Sequence, residues 1–168
     1  MSGRGNIILI GFATSGKTTV GKLLADKIGK KFVDLDDLTY AEYNMHCDEN
    51  DDWTEALFRQ SEGKICKTLD VSNCVIACGG GTPMCEEFKK LAHGGTVVLL
   101  KVSAEQVRKR LGNTTRPLFD KLTVEQLREF VNQRVKYYDF ADVAVDTDNK
   151  TPQEVTDAIC DRLGCHAV

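Results

Sequence analysis

The chain is expected to form a single α/β domain, a five-stranded parallel sheet with helices on both faces. Three features carry that expectation. Short apolar runs alternate along the whole length with longer stretches whose apolar residues recur at helical spacing. The connections between them are short. The first run, Ile7-Ile8-Leu9-Ile10, has no polar alternation, as in a parallel strand buried on both faces. At 168 residues, 42% hydrophobic and 28% charged, residues 1–168 suffice for one domain with a core that needs no staples.

Taken in order, the first strand is followed by a helix over Lys17–Ile28. It sets Val20, Leu23, Leu24 and Ile28 on one face and stops at Gly29. Residues 32–36 read as a second strand with Asp34 and Asp36 on one face, and Asp37 facing solvent. Residues 37–52 are acidic and weakly patterned, a partly helical cap. A helix is expected over 53–69, where Trp53, Leu57, Ile65 and Leu69 recur near helical spacing. The third strand is Cys74–Ala77, then come a short helix over 84–92 and a fourth strand over 96–100. Ser103 with Gln106, and Thr123 with Gln126, match capping boxes for helices reaching Leu111 and about Tyr138. A fifth strand covers 143–145. Thr151, Pro152 and Glu154 supply cap, N1 and N3 of a last helix to Arg162.

Between the first strand and first helix lies Gly11-Phe12-Ala13-Thr14-Ser15-Gly16-Lys17-Thr18, a complete G-x-x-x-x-G-K-[ST] pattern in its confirming context. Its amides form a nest for phosphate oxygens. Lys17 is placed to reach the β- and γ-phosphates and Thr18 to ligate Mg2+. The nucleotide-contacting set is Gly11, Ala13, Thr14, Ser15, Gly16, Lys17, Thr18 and Thr19. The chain is thereby expected to bind a nucleoside triphosphate, ATP in the reading below. Phosphoryl transfer also needs carboxylates and arginines at strand ends. Asp34 is suited to hold Mg2+ through water, and Asp36 to accept a proton from a substrate hydroxyl. Gly79, Gly80 and Gly81 leave bare amides open to close approach. Arg116 sits in residues 112–122, a loop of small and polar residues suited to a mobile lid that carries an arginine to the γ-phosphate. Arg59 and Arg134 lie in expected helices beside aromatic residues.

The net charge of −3 gives no general pull towards nucleic acid or an anionic membrane. Residues 1–6 are too short and polar for a signal peptide, and no apolar run approaches about 18 residues. A cytoplasmic location is expected. Seven cysteines (Cys47, Cys66, Cys74, Cys78, Cys85, Cys160 and Cys165) contain no C-x-x-C pair. Neither His46-Cys47 nor Cys165-His166 has a paired ligand at metal-site spacing, so they read as free thiols.

In order along the chain come the phosphate loop, Asp34-Leu35-Asp36, Phe58-Arg59, the glycine triplet, Arg116-Pro117-Leu118, Arg134 with Tyr138, and Val145-Asp146-Thr147. Over residues 5–163 this series resembles the shikimate kinases, small P-loop kinases of the nucleoside-monophosphate-kinase type. The resemblance implies a P-loop kinase fold with a substrate-binding cap at about 37–60 and a mobile lid at about 112–122. It implies ATP as co-substrate, Mg2+ as cofactor, and transfer to the 3-hydroxyl of shikimate by a monomer with no nucleic-acid or membrane partner. Arg59 and Arg134 would clamp the shikimate carboxylate. Asp36 with Gly79, Gly80 and Gly81 would hold the ring hydroxyls, with Asp36 as proton acceptor. Arg116 would bridge from the lid to the phosphates. Arg110, one residue nearer Arg116 than is usual in the family, would stack on the adenine beside Asp146-Thr147.

One segment departs from the family. Its Ile-Glu, Gly, Ser-Ile, Ile-Phe and Gly-Glu places read here as Thr39-Tyr40, a glycine-free 41–52, and Thr54-Glu55. Trp53 and Phe58 are the aromatics available for the acceptor wall, or for core packing. Two other readings share these residues: a kinase of another polyol acid such as gluconate, and a catalytically silent regulatory module. The latter would be expected to have lost Lys17, Asp36 or Arg116, and all three are present.

Overall fold

Every residue of β1 (Asn6–Ile10) is buried, which places this strand at the centre of the sheet. The structure is a computed structural model and describes residues 5–46, 55–112 and 117–165. After β1 come α1 (Lys17–Ile28), β2 (Lys31–Asp34), α2 (Leu35–His46), α3 (Glu55–Thr68) and β3 (Cys74–Ala77). A 3-10 turn (Thr82–Met84) leads to α4 (Phe88–Ala92), β4 (Gly95–Lys101), α5 (Ala104–Leu111), α6 (Pro117–Asp120), α7 (Val124–Val135), β5 (Val143–Asp146) and α8 (Pro152–Leu163). The strands run in the order β2-β3-β1-β4-β5, all pairs parallel. No described helix is long and apolar enough to cross a membrane.

Strand alternation divides β1 between two cores. Ile7 and Leu9 pack with Val20, Leu24 and Ile28 of α1 and Val155 and Ile159 of α8. Ile8 and Ile10 pack with Leu35 of α2, Cys66 of α3, and Phe88 and Leu91 of α4. The helices after the adjacent strands β1 and β3 therefore lie on opposite faces. That divergence opens a crevice at the strands' carboxyl ends, where ligands bind in open parallel sheets. A third cluster joins Phe12 to α5, α6 and α7, with Phe12 and Phe119 ring centroids 5.4 Å apart.

Several boundaries differ from the sequence expectation. The second strand ends at Asp34. Asp34 Oδ1 accepts a hydrogen bond from the Asp36 backbone N–H at 3.0 Å, as a helix N-cap does, and α2 starts at Leu35. Asp36 therefore lies in the first turn of α2, and the shared strand face expected for Asp34 and Asp36 is corrected. Asp37 is exposed as expected, and the cap is helical as far as His46. The expected helix over 84–92 divides into the 3-10 turn and α4. Residues 112–122 include the short α6, because Phe119 packs on Phe12 and on Phe130 of α7. The boxes at Thr123 and Thr151 are reciprocal. At Ser103 only the side-chain half forms, since the Ser103 N–H donates to Asp148 Oδ1 instead. Trp53, Thr54, Cys47, Arg116 and His166 lie outside the described residues.

Buried Asn6 ties two strand starts together. Its Nδ2 donates to Val71 O at 2.8 Å, and its Oδ1 accepts from Cys74 N at 3.0 Å. An Asn6→Ala variant leaves a half-buried carbonyl and a buried amide without these partners. Its stability is expected to fall by about 1–3 kcal/mol, read as a lower urea midpoint at unchanged slope.

Candidate active site

The phosphate loop starts where β1 reaches the crevice. Gly11 has φ 153°, and a β-carbon there would stand 2.5 Å from Leu100 O. Gly16 caps α1 at φ 90°, a conformation side chains rarely take. Buried Lys17 donates to Gly11 O at 2.9 Å and Phe12 O at 3.0 Å, so its ammonium is held over the loop. A cleft of about 300 Å³ is lined by Ala13, Thr14, Gly16, Lys17, Thr18 and Thr19. Asp36, Cys78, Gly80 and Arg110 complete its wall. Residues from four separate stretches of sequence thus meet in one place. Cys78, read as one thiol among seven, turns out to line the cleft, and burial pushes its pKa well above the usual thiol value.

Thr18 and Asp34 also come together. Thr18 Oγ1 donates to Asp34 Oδ2 at 2.8 Å. A hydroxyl and a carboxylate are hard oxygen donors, the kind Mg2+ takes, and this cation is held by one or two carboxylates together with substrate phosphates. The pair fits the ion. Among the described residues no group of three or more His, Cys, Asp or Glu is arranged to hold a metal by itself.

On the acceptor side the three glycines have three different neighbours. A β-carbon on Gly79 would collide with Asp36 Oδ1, one on Gly80 would touch Ala13 N at 3.5 Å, and one on Gly81 would meet the Arg59 guanidinium at 2.5 Å. The triplet therefore lets a carboxylate, the phosphate loop and an arginine approach the same short backbone. Arg59 Nη1 donates to Glu62 Oε2 at 2.6 Å, and Nη2 lies 3.6 Å from Glu55 Oε1. Burial works against the Arg59 charge, but Glu62 and then Glu55 more than offset it and hold the pKa above the usual guanidinium value. Arg59 Nε is buried without a partner among the described residues. Arg134 reaches the same turn from α7, with Nη1 2.8 Å from Met84 Sδ.

Glu62 was not singled out in the sequence. It is fully buried and also accepts from Thr82 Oγ1 at 2.5 Å and Cys85 Sγ at 3.4 Å. The signal was there: Phe58, Glu62 and Cys66 repeat every four residues, so an acid stands in the buried stripe of α3. Phe58 itself is buried, with its ring 4.9 Å from that of Tyr40.

Arg110 is fixed by three bonds. Nη1 donates to Thr14 O at 2.9 Å and Thr147 Oγ1 at 3.1 Å, and Nη2 donates to Thr147 O at 2.8 Å. Thr147 Oγ1 donates in turn to Lys101 O at 2.8 Å. Burial lowers the Arg110 pKa, with Asp148 opposing. α5 is thereby strapped to the phosphate loop and to the end of β5.

Two variants test this geometry. Lys17→Met is expected to remain folded by circular dichroism and to abolish turnover in a coupled ADP-release assay. Wild-type-like turnover would overturn the phosphate-loop assignment. Thr147→Val keeps the buried shape but removes both Oγ1 bonds. The ATP dissociation constant is expected to rise about fivefold, the loss of a ~1 kcal/mol hydrogen bond. Unchanged ATP affinity in calorimetry would mean that Arg110 does not need Thr147.

The same pieces recur in known proteins. A sequence model of the shikimate kinase family matches residues 13–164. A shikimate kinase of Thermodesulfovibrio yellowstonii is 37% identical over 159 residues, covering 92% of each chain. Among solved structures, the shikimate kinase of Acinetobacter baumannii in complex with shikimate superposes with a TM-score of 0.80 at 26% identity, covering 95% of this chain and 93% of that one. The shikimate kinase of Aquifex aeolicus gives 0.76 at 30% identity, with 95% and 96% covered. With the phosphate loop, the glycine triplet and their partners gathered at the carboxyl ends of β1 and β3, and with the match extending over nearly its whole length, this chain belongs to the shikimate kinase family.

Proposed function

We propose that the protein transfers the γ-phosphoryl group of ATP to the 3-hydroxyl of shikimate, giving shikimate 3-phosphate and ADP. The observation that carries this reading beyond family membership is the meeting of Asp36 and Gly80 with Lys17 and Thr18 in one cleft. A proton acceptor for the alcohol thereby faces the phosphate cradle. Mg2+ held by Thr18 and Asp34 would supply positive charge against the phosphates. Asp36 takes the proton of the attacking hydroxyl, and the bare Gly79 backbone leaves room for its carboxylate. Lys17 spreads its charge over the phosphates, and Thr18 with Asp34 orients the cation. Arg59 and Arg134 hold the acceptor carboxylate, Arg59 through the orientation that Glu62 imposes. Arg110 flanks the adenine. Arg116 completes the site from a lid at about 112–122, while residues 37–60 form the acceptor cap. The enzyme works as a cytoplasmic monomer.

Shikimate is expected to release ADP in a panel of polyol acids, and gluconate is not. Gly81→Ala provides the sharper test. The new methyl group would stand 2.5 Å from the Arg59 guanidinium and push it away from its buried partner Glu62, so the melting temperature should fall, and binding is measured on the folded variant below it. Affinity for shikimate is expected to fall by about 2–4 kcal/mol, as for one partner of a buried charged pair, with Arg59→Ala similar and ATP affinity little changed. Shikimate binding to both variants at wild-type strength would remove Arg59 from the acceptor site.

A further inference from the structure

We infer that Cys160 and Cys165 are an oxidisable pair that closes reversibly as an intrachain disulfide across the C-terminal turn of α8. The backbone builds the pair. Gly164 ends the helix in the left-handed conformation at φ 63° with its N–H bonded to Cys160 O. The Cys165 N–H bonds to the same carbonyl at 3.1 Å. A helix end of this kind folds the chain back so that the residue after the glycine lies over the last turn, where an apolar pair usually fills the contact. Here both members carry thiols. Cys165 Sγ lies 3.8 Å from Cys160 O, so the two side chains sit over the same turn.

Their surroundings assign the two sulfurs different parts. Cys160 is 5% exposed and packed among the residues shared by α1 and α8, while Cys165 lies half-buried at the edge of that cluster. A small disulfide compound therefore meets Cys165 first. The Cys165 thiolate attacks one of its sulfurs and expels one small thiolate. Cys160 then loses its proton to solvent, attacks Cys165 Sγ and expels the second. Two protein thiols and one small disulfide become one protein disulfide and two small thiols. Burial, with Cys165 adding to it, pushes the Cys160 pKa up to about 11, while the Lys27 ammonium favours its thiolate. The other described cysteines are less suited. Cys66, Cys74 and Cys78 are buried in the core, and burial with the Glu62 charge pushes Cys85 up to about 12.

The test treats the folded enzyme with oxidised glutathione and maps its peptides by mass spectrometry. A Cys160–Cys165 link, lacking two hydrogens and carrying no glutathione, is expected, undone by a dithiol reductant and without effect on kcat. Cys160→Ala should instead trap glutathione on Cys165, and Cys165→Ala should leave Cys160 unmodified. The second variant changes a half-buried position and keeps the test usable should the first fail to fold. Glutathione retained on wild-type Cys165, a link to any other cysteine, or no reaction at either sulfur would overturn the inference.

Discussion

The carboxyl ends of β1 and β3 lie side by side while α1 and α4 leave on opposite faces of the sheet, and the cleft exists because of that divergence. Neither helix covers the gap, so the loop after β1 and the triplet after β3 face each other across it. Close approach then sets their composition. Side chains on Gly79 or Gly81 would occupy the volume of Asp36 or Arg59, while one on Gly80 would make ordinary contact with the phosphate loop. Gly79 and Gly81 are thus explained by what must come near them, and their conformational-entropy cost is borne by the sheet that supports both ends.

Glu62 organises the residues around the glycine triplet. An isolated buried carboxylate is costly to desolvate, and one of its compensations is the arginine it orients. Its second oxygen is occupied by Thr82, which fixes the turn carrying Met84 and so the place where Arg134 arrives. One buried acid thereby couples α3, the 3-10 turn and, at one remove, α7.

Much of this was legible in the sequence, for identifiable reasons. The central strands β1 and β3 are buried on both faces, so their apolar runs were unmixed, and β1, α1, β3 and α8 fall where expected. The phosphate loop announces itself because backbone geometry requires its glycines. Asp36 was placed on the wrong element: a strand of alternating residues and a strand ended by an Asp cap look alike until Asp34 is seen bonding forward. Glu62 escaped because its meaning lies in a partner twenty residues away, Thr82, as well as in Arg59 on its own helix. The three-point hold on Arg110 depends on Thr14 and Thr147, 96 and 37 residues distant, and no local pattern encodes it.

Thr14 stands in the left-handed region at φ 65° although its side chain is β-branched, a conformation that costs such a residue roughly 1–2 kcal/mol. Its carbonyl is the one Arg110 grips. The loop is therefore kept bent by a distant side chain against its own preference, in the manner of a drawn bow. Less ordering remains to be done when phosphates arrive, so part of the entropy of binding has been met during folding.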